Sequence, residues 1–109
     1  MYTHPQHKAG EDGRRLRREA GQWLRDLRTA RGLTQRQLAD QVGVAYYTFV
    51  SQIEAGKGRV PPESYQVWAD ALGLPVADFV RTLLAYYDPF THRALFGAVE
   101  PLVPPSPER

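Results

Sequence analysis

The stretch that most constrains the fold is Leu33-Thr34-Gln35-Arg36-Gln37-Leu38. Thr34 stands at a helix N-cap with Gln37 three residues on, so each side chain can satisfy the other's backbone N–H in a capping box. Leu33 and Leu38 hold the positions of a hydrophobic staple, which sets the angle at which the chain enters the helix. Leu38, Ala39 and Val42 supply an inward face, and Gly43 ends the helix after about two and a half turns. A helix this short does not persist alone in water, so its apolar face requires a tertiary partner.

The rest of the chain repeats the theme of short amphipathic segments closed by glycine. From about Arg14, Leu16, Ala20, Trp23, Leu27 and Ala30 recur at helical steps, with Gly32 beyond. Gly21 inside that helix costs about 1 kcal/mol relative to alanine, and close packing is the one reason the pattern offers for it. After Gly43, Val44, Tyr47, Val50 and Ile53 follow at three-residue steps, predicting a third helix over roughly 46–55; Tyr47 can face either way. Pro61-Pro62 opens a fourth helix bearing Tyr65, Trp68, Ala69 and Leu72. A fifth, from about Pro75, carries Val76, Phe79, Val80, Leu83, Leu84 and Tyr87 on one broad face. Asp88 and Pro89 cap and start a sixth, ending at Phe96. No alternating strand pattern appears. The expected fold is all-α, a five-helix bundle with an extra short C-terminal helix: a flexible segment over 1–13, one domain over 14–97 and a Pro-rich tail over 98–109.

With 109 residues the chain has room for one ordinary domain, and no apolar run approaches the roughly 20 residues that span a bilayer. The stretch MYTHPQHKAGEDG lacks a signal peptide's apolar core, so the expected compartment is the cytoplasm. The absence of cysteine excludes disulfide frameworks, thiolate zinc sites and thiol catalysis. His4, His7 and His92 complete no catalytic or metal-binding spacing, and neither a nucleophile elbow nor a phosphate-cradling glycine loop is present. No catalytic residue, cofactor or metal is expected. Charge is uneven: residues 1–36 hold nine Lys and Arg against four acids, whereas residues 37–109 are net acidic. A basic front on a nearly neutral chain points to a polyanionic partner for one surface.

Two short helices joined at Gly43 let the second protrude into a major groove while the first crosses the backbone. Val44, Val50 and Ile53 can anchor that second helix, leaving Tyr46, Thr48, Ser51, Gln52 and Ala55 outside. Residues 28–84, through RTARGLTQRQLADQVGV, FVSQIEAGKGRVP and WADALGLP, resemble the Xre/Cro phage-repressor-type helix-turn-helix family. The resemblance implies a five-helix bundle that regulates transcription as a homodimer on a palindromic double-stranded DNA operator. It implies base contacts from Gln52 and the side chains near Tyr47 and Thr48, and the outward Tyr46 and Ser51 are expected to join them. Phosphate contacts are expected from Thr34, Gln35, Arg36, Lys57 and Arg59, and a structural ion pair from Arg28 and Glu54.

One departure stands out. The spacing from Gly43 to Ile53-Glu54 is a residue longer than usual, near Ala45, where the family has a capping Ser or Thr; the register of the outer face is open by one position. Beyond the family's helices, Tyr86, Tyr87, Phe90, Leu95 and Phe96 form an apolar surplus expected to be a dimer or partner interface. Arg14, Arg15, Arg17 and Arg18 either reach flanking phosphates or solubilise the first helix. The alternative reading keeps the fold as an antitoxin or antiactivator whose C-terminal extension occupies a partner protein.

Overall fold

Six α-helices and one 3-10 turn make up the computed structural model, which describes residues 5–97, with side chains from Gly10 onward. The helices are α1 (Pro5–Ala30), α2 (Gln35–Val42), α3 (Tyr47–Glu54), α4 (Tyr65–Leu72), α5 (Val76–Tyr87) and α6 (Pro89–Phe96), with the 3-10 turn Pro62–Ser64 leading into α4. No strand occurs among the described residues, and no helix there is long and apolar enough to cross a membrane. The expected tail over 98–109 and the first four residues lie outside the described residues.

The first helix starts earlier than the pattern from Arg14, within the segment expected to be flexible. It starts at Pro5, a residue that costs nothing in the first turn of a helix, where its missing N–H has no intrahelical partner to lose. The start of α2 has the expected devices. The Gln37 N–H donates to Thr34 Oγ1 at 3.0 Å, and the Thr34 N–H donates to Gln37 Oε1 at 2.8 Å. Gly43 ends the helix at φ +81°, a left-handed conformation that disfavours any side chain.

The core is built from Leu24, Leu38, Val50, Ile53, Val60, Trp68, Phe79 and Leu83, all essentially inaccessible. On α1 the buried residues are Ala20, Gly21, Leu24 and Arg28, of which Ala20 and Leu24 add apolar side chains to the interior; Ala30, expected on the inner stripe, is exposed. The residue missed was one position off the chosen stripe, on the flank where α1 meets more than one neighbour. Leu33 packs against the same core into which Leu38 is buried.

Gly21 marks the closest helix crossing. A methyl group there would collide with the Glu54 carbonyl and approach the Ile53 oxygen to 2.8 Å, so α1 and the end of α3 meet backbone to backbone. Helix propensity alone would make Gly21→Ala stabilising by about 1 kcal/mol. The close approach reverses the sign: we expect Gly21→Ala to destabilise by about 3 kcal/mol, measured as a lower midpoint in urea unfolding.

Candidate nucleic-acid interface

α3 and the turns at either end present one face to the core and the other to solvent. Val50 and Ile53 sink into the core, leaving Thr48 and Gln52 exposed on the opposite side and Ser51 half-buried beside them. The Ser51 hydroxyl donates to the Thr48 carbonyl at 2.9 Å, so part of its hydrogen-bonding capacity is used within the helix. The one carboxylate on α3 is Glu54, at its inner end, which leaves the outer face free of acids.

A short turn leads into α3. The Val44 N–H closes the end of α2 on the Ala39 carbonyl at 3.0 Å, Ala45 is exposed, and Tyr46 is an extended N-cap with no side-chain cap hydrogen bond. With this turn before it, α3 begins at Tyr47 rather than Tyr46. Tyr47 is no core residue: it is 38% exposed, with the Arg36 guanidinium 4.4 Å from its ring centroid. Tyr46 is 75% exposed.

At its inner end Glu54 collects donors from two other helices. Arg28 Nε lies 2.6 Å from Glu54 Oε2, and Arg28 Nη2 is 3.0 Å from Oε1. Nη1 of the same guanidinium donates to the Leu33 carbonyl at 2.7 Å, closing the α1–α2 turn. Gln35 Nε2 also donates to Glu54 Oε1, at 3.0 Å. The sequence gives no sign of that last bond, and it takes one of the two amide hydrogens of a residue expected to meet phosphate. Its second amide hydrogen and its first-turn backbone N–H keep Gln35 suited to an anion.

The other expected phosphate residues surround α3. Thr34 and Arg36 are exposed at the start of α2, and Lys57 is exposed in the loop after α3. Arg59 is exposed too, with its guanidinium 4.6 Å from the Tyr87 ring centroid. Beside α3, Val44, Ala45, Tyr46, Thr48, Phe49, Gln52, Ile53 and Gly58 line a mainly apolar groove of about 390 Å³. Phe49, 39% exposed, escapes the sequence reading because it falls between the inner stripe and the outer face.

The expected apolar interface divides. Tyr87 turns inward: it packs on the core and its hydroxyl accepts the Val60 N–H at 3.3 Å. Tyr86 lies against Trp23, and Phe96 is covered by Arg81 and His92. Phe90 and Leu95 remain, 81% and 64% exposed.

Compared with models of known families, residues 19–81 match the helix-turn-helix domain. The chain belongs to the helix-turn-helix domain family. No curated protein sequence matches it. Membership assigns DNA binding of the regulator kind in general terms, in a family that is typically non-enzymatic. In this helix-turn-helix domain α2 and α3 are the paired helices, and α6 lies outside the matched residues.

Two measurements probe how the domain holds α3. Arg28→Met strands a carboxylate whose side chain is 4% exposed, and should cost about 3–5 kcal/mol in denaturant unfolding. Adding Glu54→Met should recover most of that loss, leaving about 1 kcal/mol for the Leu33 carbonyl that no longer has its donor. Burial, the largest influence on Tyr87, raises its pKa above the usual 10.0. Its contribution is therefore complete below pH 10 and is lost as pH climbs through the raised value. Stability followed from pH 8 to 12 should fall less steeply in Tyr87→Phe than in the wild type.

Proposed function

We propose that the protein is a sequence-specific transcriptional regulator that binds a palindromic double-stranded DNA operator as a homodimer. The observation that carries this reading is the acid-free outer face of α3, with Thr48 and Gln52 open to solvent while Glu54 holds the inner end. Gln52 has the two-pronged amide that matches the N6 and N7 edge of adenine. Thr48 and the apolar groove beside it suit a thymine methyl, with Tyr46, Tyr47 and Ser51 flanking the same base steps. Thr34, Gln35 and Arg36 on one side and Lys57 and Arg59 on the other are placed to hold phosphates, fixing orientation without reading sequence.

Reach argues for two copies. Eight residues of helix extend about 12 Å, the rise of three to four base pairs, which is too little sequence to single out a site. A two-fold pair of such helices about 34 Å apart doubles the information and imposes operator symmetry. Phe90 and Leu95, exposed on α6 beyond the matched residues, support self-association there. The same two residues would serve the second reading, a module that docks a different protein through its C-terminal extension.

Selection of bound duplexes from a random pool tests both. A palindromic consensus is expected; no enrichment at physiological salt, together with a stoichiometric protein partner lost on Phe90→Ser/Leu95→Ser, would favour the second reading. On the selected duplex, Gln52→Ala should weaken binding by about 1–3 kcal/mol and relax one base position, whereas equal loss on every sequence would remove Gln52 from base readout.

A further inference from the structure

Along α1, positions 14, 18, 21, 25 and 28 follow steps of four and three and share one face of the helix. Three of them touch the end of α3 or the loop after it. Gly21 lies under the Glu54 carbonyl, Arg28 pairs with the Glu54 carboxylate, and a methyl group on Gly56 would come within 2.8 Å of the Arg18 Cα. Of the remaining members, Arg14 stands one turn before Arg18 and Arg25 lies between Gly21 and Arg28. Arg14, Arg18 and Arg25 are all exposed, and none joins an ion pair among the described residues. Arg15, by contrast, points from another face and is spent on Glu19 at 2.9 Å. Glu11, a turn before Arg14, is engaged in an interaction of its own.

We infer that Arg14, Arg18 and Arg25 form a second phosphate-binding track, on which the DNA backbone leaving the α3 groove is held along α1. This rests on the DNA-binding reading above and extends it to a surface outside the paired helices. Arg18 abuts the loop that carries Lys57, so the track is continuous with the loop cations. From Arg14 to Arg25 it runs about 16 Å, a length that meets several successive phosphates. Guanidinium groups suit this role, being always charged and able to grip phosphate oxygens in pairs.

The test is the salt dependence of binding to the selected duplex, flanked by ten further base pairs on each side, read by fluorescence anisotropy. In Arg14→Gln/Arg18→Gln/Arg25→Gln the slope of log K against log salt should shrink by about 0.9 for each phosphate no longer neutralised, up to about 2.7. Between 50 and 200 mM salt the wild type would then lose about fortyfold more affinity than the variant. The selected consensus should be unchanged, the triple lysine variant should keep most of the slope, and Arg15→Gln should keep all of it. A triple variant with the wild-type slope, or one with an altered consensus, overturns the track while leaving the DNA-binding reading intact. A wild type that binds no duplex at any salt overturns both.

Discussion

Glu54 is the point on which the arrangement of the domain depends. Its carboxylate receives Arg28 from α1 and Gln35 from α2, and its own backbone carbonyl rests on Gly21. Three helices are thereby indexed to one residue at the inner end of α3. A buried ion pair of this kind contributes little net stability, because removing both charges from water costs about as much as their attraction returns. What it supplies is direction: an apolar contact between Val50, Ile53 and the core would tolerate small rotations of α3, whereas paired donors from two helices do not.

The two ends of α3 are built on opposite terms. At the C-terminal end the Glu54 carboxylate is held by short hydrogen bonds from Arg28 and Gln35. At the N-terminal end Tyr46 caps without a side-chain hydrogen bond, a deficit of about 1 kcal/mol relative to Ser or Thr, and both leading tyrosines stay in solvent. Arg36 stacks on Tyr47 and ties α2 to that open end, and at an exposed site such a contact stabilises by about 0.5–1 kcal/mol. The end that would meet bases is thus the less constrained one, and the end that sets its direction is distant from them.

Much of this is legible in the residues. The capping box, the glycine stops and the Asp88-Pro89 restart are local signals whose geometry depends on a few neighbours, and each stands where its residues put it. Gly21 is legible as an anomaly, although its partner, a carbonyl 33 residues further on, has no local trace. Periodicity misassigns Ala30 and passes over Leu24 because a stripe read at alternating steps describes one packing direction, while α1 packs against both α3 and α5. For the same reason the aromatic surplus reads as one surface. Tyr87 is drawn inward by the Val60 N–H and the Arg59 guanidinium, contacts made by a distant loop, whereas Phe90, three residues later, meets no comparable partner.

Charge shows the same division between composition and placement. The basic front of the chain looks like a uniform attraction for polyanions, yet its arginines have separate employments. Arg28 is enclosed with Glu54, Arg15 is paired with Glu19, and the Arg31 guanidinium occupies the space a methyl group on Gly73 would need, where the negative end of the α4 dipole favours a cation. Arg36 is stacked, with the edge of its guanidinium still open to a hydrogen-bond acceptor. The charge available to a backbone phosphate is therefore smaller than the count of basic residues implies, and it is concentrated on the side of α1 and α2 that borders α3. On the proposed track, attraction for DNA and the direction of α3 would arise from the same face of α1, through different residues of one stripe.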